Sequence, residues 1–267
     1  MEKIQILNKD GREIVSVPSW HDLAPPQSPD GHWEKWKSAF EFANAWFRTE
    51  VAEAPQPLRE FFKHNKLTRD ISLKEIIAEK PIWIDDVRRG NTRNNDMLLD
   101  GYASNSPIVV GIEAKAKEEY GPIIGKYYDK HIQNTASNIP QRIRRLSQAI
   151  FGRDLDNQVR ALRYQLLHAI AGTLIEAKSR EAKYAIFLIY QFITPIVTPS
   201  DRRRNSRDLN KFIQLLSQDE SIEINPGKLY GPFKIPGGEY VPSSDQLYIG
   251  KVMENIETDA IKIRLTK

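Results

Sequence analysis

The chain has 267 residues, 40% hydrophobic and 28% charged, a balance that supports a folded core and excludes a disordered or fibrous polymer. It contains no cysteine, which excludes disulfide frameworks, thiolate zinc sites and thiol nucleophiles. The net charge of +4 and pI near 9.0 are compatible with a polyanionic partner, and with no signal-like start or membrane-length apolar run a soluble, cytoplasmic protein without a membrane partner is expected.

Lys3 to Leu7 and Glu13 to Val17 flank an Asp10-Gly11 turn signal and predict a short hairpin. Pro18 to Pro29 is proline-rich and predicts no lasting regular element. Trp33, Trp36, Phe40, Ala43 and Phe47 recur at three- and four-residue spacing, which predicts an amphipathic helix with an aromatic buried stripe. Leu58 to Phe62 and Ser72 to Glu79 predict shorter helices, the second with Ser72 as N-cap and Glu75 completing a capping box. Ile82 to Val87 predicts a strand leading into a polar loop from Arg88 to Asn95.

Asn95 to Leu99 and Pro107 to Ile112 predict paired strands around a tip at Ser104-Asn105-Ser106. A hairpin closing there returns Asp96 to the side of Glu113, and strand alternation puts Glu113 and Lys115 on one face. A slip in register would exchange Asp100 for Asp96, although Asp96 matches a tip near Ser104 and Asn105 better. Pro140 at a helix start, Ile143, Leu146 and Ile150 on one face and Gly152 at the end predict a helix that carries Arg142, Arg144 and Arg145. Asn157 to Lys178 predicts the longest helix, burying Val159, Leu162, Leu166, Ala169 and Thr173. Tyr184 to Ile193 lacks alternation and predicts a strand buried on both faces. Arg207 to Ser217 predicts a surface helix beside a second basic cluster of Arg202, Arg203, Arg204 and Arg207, and the last fifty residues predict short strands with Pro-Gly turns. No repeat or linker interrupts the chain. The expectation is one α/β (α+β) domain over 1–267, with a core at about 30–195 and an elaboration at 196–267.

Two carboxylates and a lysine at the mouth of a sheet suit a hard cation and phosphodiester hydrolysis. A divalent ion activates water and stabilises developing negative charge, and magnesium needs only one or two carboxylates. Asp96 and Glu113 are the candidate ligands, with the Ala114 carbonyl as a third and Lys115 beside the scissile phosphate. Glu41 on the aromatic helix is a further carboxylate, with an ion pair to Lys37 as its plainer role. Gln165 and His168 share a helix face, where they serve either as satisfied core groups or, for Gln165, to hold a water or phosphate. Equally, Glu113 and Lys115 read as strand-end surface charges, and the arginine clusters as solvated surface. The histidines have no zinc-ligand spacing, and no glycine-rich phosphate loop is present.

Asp96, Glu113-Ala114-Lys115, a preceding helix with Glu41 and a following helix with Gln165 together resemble the PD-(D/E)xK nuclease superfamily. The resemblance narrows to an uncharacterised bacterial family within it, on His32-Trp33, Ser38-Ala39-Phe40-Glu41, Asn95-Asp96-Met97-Leu98, Ile112-Glu113-Ala114-Lys115 with Glu118 and Gly121, and the helix Leu162-Arg163-Tyr164-Gln165-Leu166-Leu167-His168 with Glu176-Ala177. The likeness spans roughly residues 30 to 195. It implies a restriction-endonuclease-like mixed central sheet flanked by helices and a nuclease dependent on magnesium, with manganese as a substitute. Glu41, Asp96, Glu113, Lys115 and Gln165 would be catalytic, with Asp96, Glu113 and Glu41 on the metal. The expected partner is nucleic acid, DNA first, held by Arg142, Arg145, Arg163, Arg202 and Arg203, and the reading leaves room for a homodimer. Asn95 stands where the superfamily's name has proline, and residues beyond 196 have no counterpart. The alternative is a non-catalytic nucleic-acid- or protein-binding module on the same scaffold.

Overall fold

The N-terminal hairpin is short: β1 (Ile6–Leu7) pairs antiparallel with β2 (Glu13–Ile14) in the computed structural model, which describes residues 4–26, 29–49, 51–84 and 93–256. A helix, α1 (Val17–Leu23), forms inside the proline-rich stretch, because Ser16 and Ser19 make a reciprocal capping box and Pro18 sits in the first turn, where its missing N–H is no loss. The aromatic helix is divided. After α2 (Pro29–His32), Trp36 turns the chain at φ 76°, its N–H bonds Glu41 Oε1 at 2.7 Å, and α3 runs only over Ser38–Trp46. Its buried side is therefore Phe42, Ala43 and Trp46 rather than the expected stripe through Trp33, Trp36, Phe40 and Phe47. α4 (Gln56–His64) forms as expected around Leu58 to Phe62.

The helix expected over Ser72 to Glu79 is a strand. β3 (Ser72–Ile82) runs parallel to β1 on one side and antiparallel to β4 (Arg93–Ala103) on the other. Ile76, Ile77 and Ala78 are all buried, and the two β-branched residues fit a pleated surface with neighbours on both edges. That pairing outweighs the Ser-x-x-Glu pattern, a weak local signal. Of the strand expected at Ile82 to Val87, Ile82 ends β3, while 85–87 lie outside the described residues together with most of the following loop.

β4 and β5 (Ser106–Lys115) form the expected hairpin, with Ser104 and Asn105 at φ 48° and 59° in its two-residue turn. Left-handed geometry at both turn residues matches the strand twist. Next come α5 (Ile124–His131) and α6 (Ile139–Phe151), the latter closed by Gly152 at φ 67°. The helix expected over Asn157 to Lys178 is two helices, α7 (Asn157–Arg160) and α8 (Tyr164–Ser179). Between them the backbone pairs elsewhere: Ile124 N–H bonds the Leu162 carbonyl and Tyr164 N–H bonds the Pro122 carbonyl. Val159, Leu162, Leu166, Ala169 and Thr173 are buried as expected.

β6 (Tyr184–Ile193) follows as predicted. α9 (Pro199–Ser217) is longer than α8 and is the expected surface helix, with Arg203, Arg207 and Lys211 exposed, while its other face buries Leu209, Phe212 and Ile213. β7 (Leu229–Ile235) and β8 (Ser244–Asn255) complete one eight-stranded mixed sheet in the order β2-β1-β3-β4-β5-β6-β8-β7. The segment beyond residue 195 is thus built into the sheet, with β8 parallel to β6 along nine register pairs from Ala185↔Leu247 to Ile193↔Asn255. Helices flank both faces, as the α/β (α+β) expectation requires. α5 to α9 cover the face bearing Leu98, Val109, Phe187 and Ile249, while α1, α3 and α4 cover the face bearing Met97, Val110, Ile112 and Leu188.

α8 lies close against β5 at Gly111. A Cβ there would sit 2.2 Å from Thr173 Oγ1 and 2.5 Å from Asn95 Nδ2, which themselves bond at 3.3 Å. Gly111→Ala is expected to lower stability by about 1–3 kcal/mol, the usual scale of overpacking. Urea unfolding checks this, and an unchanged midpoint would contradict the packing described.

Candidate active site

The hairpin fixes the centre of the site. The β4–β5 pairing runs from Ala103↔Ser106 to Met97↔Ile112, and one further step sets Asp96 opposite Glu113. Asp96 Oδ2 accepts the Ala114 N–H at 2.6 Å, which locks the carboxylate against the end of β5. Asp100 lies in a different environment. It forms an ion pair with Arg180 at 2.9 Å, and Arg180 also holds Glu75 and Glu176. The register thus sets Asp96, and not Asp100, beside Glu113.

Glu113 and Lys115 are 2% and 4% exposed, so they are not strand-end surface charges. Lys115 Nζ bonds Glu113 Oε1 at 2.5 Å and the Ala114 carbonyl at 3.0 Å. Gln165, at the start of α8, donates its amide to the same Glu113 Oε1 at 2.5 Å. Gly121, at φ 65°, brings the loop after β5 against Gln165, where a Cβ would be 3.4 Å from that of Gln165. The other carboxylate oxygen, Glu113 Oε2, is buried with no hydrogen-bond partner.

These side chains open into a cavity of about 260 Å³ lined by Asp96, Glu113, Lys115 and Gln165 with Glu79, Glu118, Glu119, His32, Ser38 and others. Burial, then the neighbouring Glu113, push the Asp96 carboxyl up to about 8. Burial works against the Lys115 ammonium, but Glu113 and Asp96 outweigh it and hold its pKa above the ordinary range. Glu118 is opposed by burial too, yet its acceptance of backbone N–H bonds, Ser38 and Ala116 among them, holds it below the usual carboxylate range.

Two of these lining residues carried little sequence signal. Glu79 faces Asp96 across β3 and β4, between the pairs Ala78↔Met97 and Lys80↔Asn95, and has φ 50°. Reading its segment as a helix hid that placement. Glu118 was visible only as a member of the motif after Lys115.

Other expected site residues lie elsewhere. Glu41 is buried on α3 and accepts the Trp36 N–H, and it is not among the residues lining the cavity. Burial raises its pKa, with the Trp36 bond opposing. Arg163 is 8% exposed and bonds Asp208 at 2.7 Å, Glu119 at 2.6 Å and the Gly121 carbonyl at 2.9 Å, so it is an internal clamp rather than an open phosphate contact. Arg145 pairs with Glu239 and stacks over Tyr240, and with Arg142 it lines a narrow cleft beside them. Arg203 is exposed on α9, and Arg202 is half-buried. His168 is buried in α8 and also falls outside the cavity.

A metal ion would meet oxygen donors here. Among the described residues no three His, Asp or Glu side chains are gathered as a ready cage. The unpartnered Glu113 Oε2 and the neighbouring Asp96 fit a hard ion that keeps several waters, the usual habit of magnesium.

The fold and site together define a protein with a mixed sheet between two helical layers and a buried carboxylate–lysine–glutamine group at one end of the sheet. A family model described as a domain of unknown function, DUF6946, matches residues 13–256, and the chain belongs to that family. Comparison with curated proteins and with solved structures gives no match. No helix among the described residues is long and apolar enough to cross a membrane.

Proposed function

We propose that the protein is a metal-dependent nuclease of the PD-(D/E)xK type, hydrolysing phosphodiester bonds in nucleic acid, with DNA the first substrate to test. The observation that carries this reading is the division of labour on Glu113. One oxygen receives Lys115 and Gln165, while the other is buried and unpartnered beside Asp96. A buried acidic oxygen without a donor is costly unless a cation completes it.

In this reading Asp96 and Glu113 hold magnesium or manganese, which when bound supplies a nucleophilic water and charge neutralisation at the phosphate. Lys115 neutralises Glu113 and offers its one remaining N–H to the attacking water or a phosphate oxygen. Gln165 fixes the Glu113 rotamer from above the sheet. The Ala114 N–H restrains Asp96 from behind, and the Ala114 carbonyl is engaged by Lys115. Helix α3 and residues near His32 close the far wall, where Ser38 and Ala39 line the cavity.

The test is a cleavage assay with magnesium or manganese on single- and double-stranded DNA and RNA. Cleavage of DNA that EDTA abolishes is expected, and failure on every substrate with both metals would overturn the proposal. The non-catalytic alternative predicts binding without cleavage.

A thermal-shift comparison separates the aspartates. Magnesium is expected to raise the melting temperature of the wild type and of Asp100→Asn, and to leave Asp96→Asn unmoved, since only ligand binding to the native state gives such a shift. Equal shifts in both variants would remove Asp96 from the metal site.

A further inference from the structure

The polar rows of the sheet continue past Lys115 into β6 and β8. Register sets Gln191 beside Lys115, and sets Lys251 beside Ile189, itself beside Glu113. Strand alternation puts Gln191 and Lys251 on the face used by Glu113 and Lys115. Both are buried, at 1% and 3% exposure. Helix α9 covers Lys251: Ser206 Oγ accepts from Lys251 Nζ at 3.2 Å, and Arg202 lies one turn earlier on the same helix face.

A buried ammonium ordinarily has a carboxylate beside it. Lys251 has none among the described residues, and its single side-chain hydrogen bond is to Ser206. Burial, reinforced by the Arg202 charge, pulls its pKa down to about 8. Among the described residues Arg202 has no carboxylate partner either: its buried Nε lacks a hydrogen-bond partner, a condition shared by Gln191 Nε2, by Thr194 Oγ1 past the end of β6, and by Arg204 Nε, although Arg204 does have carboxylates beside it. The contrast with nearby arginines is sharp. Arg163 holds two carboxylates, and Arg204 holds Asp201, Glu119 and the Lys117 carbonyl.

Two positive charges and unused N–H donors, with no acid among them, are the complement of an oxyanion. We infer that Lys251, Arg202 and Gln191 form a pocket for a phosphoryl oxyanion beneath the first half of α9, adjoining the carboxylate cavity. Guanidinium and amide N–H groups suit tetrahedral oxyanions, and the ammonium supplies a point charge. Half-buried Arg202 and Ser206 form its rim. The same half of α9 touches the loop after β5, through Arg204 to the Lys117 carbonyl and Asn205 to the Glu118 carbonyl, so the two sites share a wall. The phosphoryl group belongs either to a nucleic-acid backbone or to a free phosphate. The inference needs no metal and stands apart from the nuclease reading.

The experiment is run in EDTA, where cleavage plays no part. The probes are inorganic phosphate and sulfate by thermal shift, and a fluorescent single strand of about 12 nucleotides by anisotropy. At least one probe is expected to bind the wild type, and Lys251→Met to weaken it about tenfold or more while melting at the same or a higher temperature. The second half of that result follows from removing an unpaired buried charge. Free anions that bind as well as the oligonucleotide identify a small phosphate ligand, and binding of the oligonucleotide alone identifies the polymer backbone. Arg202→Gln, at the rim, provides a second variant should Lys251→Met fail to fold, with at least about a threefold loss expected. Wild-type affinity in the folded variant, or no binding of any probe to the wild type, would overturn the inference.

Discussion

Lys115→Met is expected to reduce metal-dependent cleavage by at least about a hundredfold, the scale for losing one charge-stabilising donor at a reacting centre. It should do more than that. Lys115 Nζ is the cation bonded to Glu113 and is also held by the Ala114 carbonyl, at a place almost closed to solvent. Methionine fills a similar volume but leaves Glu113 without its compensating charge. Breaking a buried pair from one side costs about 3–5 kcal/mol. In EDTA the variant should therefore melt well below the wild type, and magnesium should recover part of the difference by supplying positive charge to the same carboxylate. Single-turnover cleavage and paired melts with and without magnesium measure both effects. A variant that cleaves at the wild-type rate would remove Lys115 from the chemistry whatever its stability.

Arg163→Ala is expected to act on the fold rather than on nucleic-acid affinity. The guanidinium pairs with Asp208 of α9 where both side chains are 10% exposed, and it reaches Glu119 and the Gly121 carbonyl in the loop that leads away from β5. It thus joins the start of α8, the middle of α9 and the wall of the cavity. Its removal leaves the buried Asp208 with only the longer contact to the exposed Arg207 guanidinium, 3.7 Å away, a loss approaching the roughly 3–5 kcal/mol of a broken buried pair. The Glu119 bond adds little, because that carboxylate is 46% exposed. Denaturant unfolding measures the loss. The salt dependence of oligonucleotide binding separates the two roles, since losing a phosphate contact would lower the slope by about one. A variant of wild-type stability with a reduced slope would return Arg163 to the nucleic-acid surface.

The parts of this molecule legible in its sequence are those where local pattern and tertiary demand agree. The β4–β5 hairpin was readable because turn residues, apolar strands and residue count all pointed to one register, and Asp96, Glu113 and Lys115 came with it. Tyr184 to Ile193 was readable because a continuous apolar run has few alternatives. Gln165 was found through its motif, although the helix that carries it starts later than its periodicity suggests. The misses have a common cause. Ser72 to Ile82 becomes a strand because β1 and β4 stand on either side of it, and those partners are distant in sequence. The break at Leu162 to Arg163 depends on backbone bonds to Pro122 and Ile124. Arg163 looked like a phosphate contact because a sequence does not show which carboxylates face a charge. The Lys251 cluster was hidden for the same reason, since its members come from β6, α9 and β8.

The turn at Ser104 and Asn105 has one more consequence, for how this gene can change. Each residue between the turn and Asp96 acts as a tooth on a ruler, because pairing is counted outward from the tip. Insertion of a single residue into β4 beyond the turn would rotate Asp96 to the opposite face of the sheet, toward Met97's neighbours, while leaving the composition almost unaltered. Length changes in this hairpin should therefore be purged where point changes are accepted, and an insertion library across 97–112 should show a sharp gap in recovered function that a substitution library does not.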